Sequence, residues 1–388
     1  MIYVDNNATS CVADDVVEAM LPFFTRHFGN PSSMYAFAVE AARPMERARE
    51  QVAQLLNAAY ADEVIFTSCG TESDNAAVLG VLAALPRKNH VITTAVEHPA
   101  VYNLGEELQR RGVHVTYLPV NRDGLISLDA LRAAITDKTA LVSCMWANNE
   151  TGVLLPIQEA CAIAHEHGVL FHTDAVQAVG KIPVDVQAAG VDLLSLSGHK
   201  FHAPKGIGAL YIKRGTRVRP LFVGGHQEHG RRAGTENVPY IVGLGMAAAL
   251  AAGFLDDEAT RVKALRDMLE TELLARIPVA QVNGHRTLRT PNTTNITFAY
   301  VEGEAMLLSM SDLGICASSG SACTSGSLEP SHVLRAMGLS HEEAHGAVRF
   351  SLSRYTSAAD IAGIIEGLPP IVARLRAMSP FTPPELRA

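Results

Sequence analysis

The sequence predicts an α/β protein, a mostly parallel central sheet covered by helices, with a smaller α+β domain toward the C-terminal end. Three observations predict it. Between residues 63 and 201 short apolar runs alternate with amphipathic stretches, the pattern of strand–helix units whose strands are buried on both faces. At 388 residues and 48% hydrophobic, the chain can bury one large core and a second, smaller one. Cys69–Thr71, His98, Asn149, Asp174 and Lys200 each follow an apolar run, the strand ends where such sheets bind ligands.

Taken in order, the extended start Met1–Asp5 gives way to a short helix over Asp14–Phe24 and a turn at Gly29–Ser33. Ala, Val and Leu recur at helical spacing from Ala38 to Asn57, and because Pro44 interrupts that run the long helix is expected to start near Arg43. Glu63–Thr67 reads as a strand, Ser68–Ser73 as a strand-to-helix turn and Glu72–Leu85 as a helix. The alternation continues with strands His90–Thr94, Val113–Leu118 and Ala140–Met145, and with helices ending at Arg111, over Leu128–Ile135 and over Ile157–His167. Pro156 and Gly168 bracket the last of these helices. The apolar runs Val169–Phe171 and Val191–Leu196 are the strands that lead to Asp174 and Lys200.

Asp256–Ile277 is the most regular amphipathic helix, with Val262, Leu265, Met268, Leu269 and Leu273 on one stripe. It leads into the small domain, expected to combine strands Thr294–Phe298, Ile315–Ala317 and Val348–Leu352 with helices Glu304–Leu313 and Ala358–Met378. The expected division is 12–255 for the large domain, and 1–11 with 256–388 for the small one. The tail from Ser379, with three prolines, reads as a surface extension.

Net charge is −8 with a pI near 6.0, which leaves no basic field to hold nucleic acid or an anionic membrane. The N-terminus has no basic stretch followed by an apolar one, and the protein is expected to be cytoplasmic. Six cysteines without a C-x-x-C pair speak against zinc and against a disulfide framework. No metal site is expected. His165 and His167 are two apart on a helix, and the pairs His199/His202 and His226/His229 lack acids or cysteines nearby to complete a shell. Gly243-Leu-Gly-Met-Ala-Ala248 matches a dinucleotide fingerprint only locally, because no acid follows at a strand end, and helix packing explains it better.

Lys200 sits where the run Val191–Leu196 breaks into a polar loop. An amine held at a buried strand end can be desolvated enough to attack a carbonyl and form a Schiff base, which suggests an aldehyde cofactor; a solvated surface lysine is the alternative. Asp174 is either a helix N-cap or an acid that keeps a pyridine nitrogen protonated, as pyridoxal phosphate (PLP) requires. The turn Ser68–Ser73 can cradle a phosphate on backbone N–H groups and a hydroxyl, or Thr71 merely caps the helix. His98 is either structural or a proton carrier. Arg349 offers a planar fork suited to a carboxylate. Cys323, in a run of Ser, Gly and Thr, is either part of a flexible linker or a nucleophile.

The sequence around these residues resembles the PLP-dependent cysteine desulfurases. The resemblance rests on Asp5-Asn-Asn-Ala-Thr9, Glu97-His-Pro99, Ala147-Asn-Asn-Glu-Thr-Gly152, Asp174 with Gln177, Ser197-Gly-His-Lys200, Arg232-Ala-Gly-Thr-Glu-Asn237, Ser318-Ser-Gly-Ser-Ala-Cys-Thr-Ser325 and Arg349-Phe-Ser-Leu-Ser-Arg354. The long serine-rich cysteine loop is similar to the NifS/IscS group, and to NifS most. The resemblance implies a homodimer of PLP fold type I that converts L-cysteine to L-alanine and leaves a persulfide on Cys323, for an iron–sulfur scaffold or another acceptor protein and so for nitrogen fixation. It implies that Lys200 carries the cofactor and that Gly70, Thr71, Ser197, His199 and, from the partner subunit, Thr235 hold its phosphate. It further implies Asp174 at the ring nitrogen, Gln177 at the ring oxygen, His98 stacked on the ring, Asn149 near the ring oxygen or the substrate carboxylate, and Arg349 on that carboxylate. A PLP aminotransferase, a selenocysteine lyase or a non-catalytic sulfur carrier on the same fold are the alternatives. Cys69 departs from the family, where glycine is usual. The loop 318–330 is expected to move as a unit that carries Cys323 between pocket and surface.

Overall fold

The computed structural model describes residues 1–319 and 330–386. The chain opens with strand β1 (Ile2–Tyr3) and then builds a seven-stranded sheet from β2 (Val64–Thr67), β3 (His90–Thr94), β4 (His114–Leu118), β5 (Thr139–Ser143), β6 (Leu170–Asp174), β7 (Leu193–Ser197) and β8 (Gly208–Ile212). Their order is β2-β8-β7-β6-β5-β3-β4, parallel from β4 through to β7, while β8 runs antiparallel to both of its neighbours. Nearly every residue of these strands except β4 is buried, which is why they read as continuous apolar runs and not as an alternation. The expected α/β class is the one observed. β8 had no counterpart in the sequence reading, because its run follows a glycine-rich loop with no helix before it.

Helices cover both faces of this sheet, with one apolar core on each side. A separate core lies between β9 (Ala280–Val282), β10 (Thr293–Phe298) and β12 (Ala347–Ser351), which pair antiparallel, and the helices Lys263–Arg276, Gly303–Asp312 and Ala358–Met378. The N-terminus belongs to this second body: β1 pairs in parallel with β11 (Ile315–Cys316), and Val4 is fully buried in its core.

Two expectations are corrected. The long helix spans Ala36–Leu55 and carries Pro44 inside it, so it starts well before Arg43. The face formed by Ala38, Ala41, Met45, Ala48 and Val52 is buried against the helix Val238–Asp257, and that burial outweighs the backbone hydrogen bond a proline forgoes. The second concerns residue 256, which begins no helix. Val238–Asp257 continues through a π-turn, Glu258–Val262, directly into Lys263–Arg276. This helical run is long and apolar enough to cross a membrane, but Ile241, Leu244, Ala247, Ala248 and Ala251 are buried in the protein's own core.

The contact between the Ala36–Leu55 and Val238–Asp257 helices is close enough to require glycine at 245, where an added Cβ would lie 2.4 Å from Ala48 Cα. Gly245→Val should therefore lower stability by about 2–3 kcal/mol, read as a fall in Tm. An unchanged Tm would mean that the two helices are not in this contact.

Candidate active site

The site forms at the carboxyl ends of the parallel strands. β2 ends in the turn before the helix Gly70–Ala84, β3 ends before Glu97 and His98, β6 ends on Asp174, and β7 ends on Ser197 before a single 3-10 turn, Gly198–Lys200. The 3-10 turn is short, and it sets the Lys200 amine against the N-terminal segment, where Nζ donates to the carbonyls of Asn7 at 2.6 Å and Ala8 at 2.8 Å. His199 is held beside it, with Nδ1 3.1 Å from Thr9 Oγ1.

Asp174 is buried, and its Oδ1 accepts from the Val176 backbone N–H at 2.9 Å. Burial pushes its carboxyl up to about 6, against the pull of the Val176 hydrogen bond and the Lys200 charge. Gln177 donates to the Asn7 carbonyl at 2.9 Å, and its Oε1 accepts from Lys181. His98 caps the helix Pro99–Arg110, with Nδ1 accepting from the Ala100 N–H at 3.1 Å, so the neutral ring carries its proton on Nε2. Burial, with Lys200 and His332 adding, pulls His98 down to about 4; burial and Lys200 do the same for His199.

Gly70 is the first residue of its helix. A Cβ there would lie 2.9 Å from Val176 Cγ2 and 3.4 Å from Ser197 Cβ, so only glycine lets the helix N-terminus meet the ends of β6 and β7. Ser197 Oγ and Asn149 Oδ1 are buried without a hydrogen-bond partner among the described residues. Glu72 accepts from the Ser68 N–H at 2.7 Å and pairs with Arg232 at 2.9 Å, which ties the turn to the segment that carries Thr235. Thr71 and Thr235 are exposed. Thr235 lines a cavity of about 180 Å³ with Ser68, Gly206 and Arg232, and no described contact joins it to Lys200.

Arg349 reaches the site from β12. Its Nη2 pairs with Asp5 Oδ1 at 2.6 Å and its Nη1 donates to the Asn149 carbonyl at 2.9 Å, while Nε has no partner among the described residues. Cys323 lies outside the described residues, as does the loop movement expected for it. Both flanks of 320–329 are anchored at the site: Ser318 exchanges backbone hydrogen bonds with Arg349, Ser331 Oγ donates to Glu150 at 2.5 Å, and His332 Nε2 lies 2.9 Å from the Glu97 carbonyl.

Sequence reasoning missed the polar layer behind Asp174. Asp74, Glu97 and His172 are buried there, with His172 Nδ1 2.8 Å from Ser143 Oγ and Nε2 3.0 Å from Ser195 Oγ. Burial raises Asp74 well above its ordinary value, with Asp174 and Glu97 adding, and burial pulls His172 down to about 3. With the His172 imidazole neutral, their 3.6 Å approach is not an ion pair. Only the even spacing of His172 and Asp174, which puts both on one face of β6, could have signalled this layer.

These groups fit pyridoxal phosphate. A glycine-started helix N-terminus beside the unpartnered Ser197 hydroxyl suits a phosphate, and a buried carboxyl suits a pyridine nitrogen. Comparison with known proteins agrees. The aminotransferase class-V family model matches residues 2–364. A cysteine desulfurase of Nostoc sp. is 59% identical over 381 residues, covering 98% of this chain and 95% of the relative. The cysteine desulfurase NifS of Azotobacter vinelandii is 56% identical over 380 residues, covering 98% and 94%. The chain is a member of the aminotransferase class-V family, in its cysteine desulfurase branch. A solved NifS-like protein superposes with a TM-score of 0.91 at 37% identity, covering 96% of this chain and all of its own, and a NifS-like protein from Rickettsia africae gives 0.85 at 32% identity, covering 96% and 99%. The fold is thus that of these PLP-dependent enzymes, and Cys69, the N-cap of the Gly70–Ala84 helix, makes no side-chain cap bond.

Glu97 gives the site a measurable signature. Burial pushes its carboxyl from 4.5 up to about 8, although Oε1 accepts from the Met145 N–H at 2.9 Å and from Thr94 Oγ1 at 2.8 Å. Between these values the unfolded chain releases a proton that the folded chain keeps, so rising pH weakens the fold across that window. Glu97→Gln, which mimics the protonated acid, should melt above wild type near pH ~8 and lose that advantage near pH ~5. Parallel Tm profiles would show that Glu97 is ionised when folded.

Proposed function

We propose that the chain is a cysteine desulfurase that takes L-cysteine to L-alanine, with the departing sulfur caught as a persulfide on Cys323 and passed to an iron–sulfur scaffold. The observation that carries this reading is the meeting of Lys200, Asp174 and the Gly70–Ser197 cradle at the ends of β6 and β7. Bound there, pyridoxal phosphate supplies an electron sink for the bonds of an amino acid's α-carbon. Lys200 would hold its aldehyde carbon, Asp174 its ring nitrogen, Gln177 its ring oxygen, and Gly70, Thr71, Ser197 and His199 its phosphate.

His98, neutral with its proton on Nε2, is suited to hand a proton to the substrate and take it back. Arg349 and Asn149 would orient the cysteine carboxylate, for which Arg349 must share a fork already engaged by Asp5. The net change is balanced: the C–S bond of cysteine breaks, an S–S bond to Cys323 forms, and the thiol proton of the enzyme ends in alanine. The substrate is supported by a structural neighbour at 37% identity and a TM-score of 0.80 described as SspA in complex with cysteine, and nitrogen fixation by the NifS relative.

A homodimer is supported by an apolar surface along residues 17–39, where Leu21, Phe24, Phe28, Met34 and Tyr35 are all more than half exposed. In such a dimer Thr235, exposed in this chain, would serve the partner's phosphate site. We place the large domain at 12–255, whose two cores cover the faces of the sheet and also take in side chains from 333–347, and the protein in the cytoplasm.

Lys200→Ala should abolish both alanine formation and the cofactor's visible absorbance, whereas Cys323→Ser should keep the absorbance and form no persulfide. Desulfuration by either variant at the wild-type rate would sink the assignment. Arg349→Lys, which exchanges a two-pronged fork for a point charge, should raise KM for L-cysteine by about tenfold or more with a smaller change in kcat. An unmoved KM places the carboxylate elsewhere.

A further inference from the structure

A cavity of about 520 Å³ opens at the seam between the two bodies, lined by Lys181–Pro183 from the connection after β6, by the π-turn and first turns of the helix after it, and by Arg286–Pro291. Four cationic side chains line it, Lys263, Arg266, Arg286 and Arg289, against two carboxylates, Asp267 and Glu270, together with Lys181, whose ammonium burial pulls well below its ordinary value. The carboxylates are already shared. Asp267 pairs with Lys263 at 2.6 Å and Arg266 at 2.8 Å, and Glu270 with Arg289 at 2.7 Å and Arg286 at 3.0 Å. Arg266 is further satisfied by the carbonyls of Thr290 and Thr293.

Arg289 is different. Its side chain is 3% exposed, only Nη2 reaches Glu270, and Nε and Nη1 have no partner among the described residues. A buried guanidinium with two unused donors is costly unless something accepts from them, and its charge favours a carboxylate or phosphate close by. The volume lies within the range of small-molecule sites and exceeds what a single halide would need.

We propose that this seam cavity is a binding site for a small oxyanion of at least two negative charges, a polycarboxylate or a diphosphate, held by the charge of Arg289 in its wall with Arg286 and Lys263 at the rim. It is separate from the cofactor cradle and independent of the desulfurase reading. Lys181 is its link to the site: Nζ donates to Asn7 Oδ1 at 2.9 Å, and the Asn7 carbonyl is one of the two that hold Lys200.

The test is calorimetric titration of the PLP-loaded enzyme with citrate and, separately, inorganic pyrophosphate at constant ionic strength. One saturable site per chain is expected for at least one probe, and the tighter probe identifies carboxylate or phosphate chemistry. Arg289→Gln should weaken it by about tenfold or more, equivalent to about 1.4 kcal/mol. Arg286→Gln, whose side chain is 60% exposed, removes one rim charge without touching the core and should weaken it by about threefold. It decides the matter if the Arg289 variant does not fold. No saturable binding of either probe at millimolar concentration, or equal affinity in wild type and variants, overturns the proposal.

Discussion

Dehydration at the ends of β6 and β7 governs the behaviour of nearly every polar group around Lys200. Water is excluded by helices on both sheet faces, so a group there keeps its charge only where a specific partner compensates it. Asp174, Glu97 and Asp74 are all displaced upward, and His98, His172 and His199 all downward, with burial the largest cause in each. The same exclusion makes the pocket suited to an electron-withdrawing cofactor. A carboxyl that resists ionisation in the bare protein gains most when a cationic ring nitrogen arrives beside it.

The large sheet was legible in the sequence because parallel strands buried on both faces leave uninterrupted apolar runs, and because each run ends where a polar residue appears. Asp174 and Lys200 are legible that way, and the structure sets one on the last residue of β6 and the other in the turn that follows the neighbouring β7. What failed to show was what depends on tertiary contact. Pro44 argued for a later helix start, and only the packing of Ala38 and Ala41 against another helix reveals why it is tolerated. Asn7 and Ala8 stand in a motif to which the sequence assigns no task, since no periodicity announces a backbone carbonyl that will accept from a lysine almost two hundred residues away. Arg289 and Glu270 meet across the chain by the same token, with a spacing that follows no helix or strand period.

The N-terminal segment joins the two bodies more directly than the helix through the π-turn does. Its first strand and Val4 belong to the smaller core, while Asn7 touches Lys200, Gln177, Lys181, Thr293 and Asn292 within a few residues. One asparagine thus receives or gives hydrogen bonds on both sides of the seam.

That arrangement has an effect on how the protein would look to systematic mutagenesis. The acceptors that hold the Lys200 amine are main-chain oxygens, so exchanging Asn7 or Ala8 for any other residue leaves both acceptors in place. A scan of single substitutions would score the lysine as indispensable and Ala8 as replaceable, while Asn7 would register for its side-chain bonds to Lys181 and Thr293 and not for the carbonyl that holds Lys200. What fixes those anchors would surface one step away, at positions such as Ser351, whose hydroxyl accepts from the Asn7 N–H at 2.9 Å and so steers the path of the backbone itself.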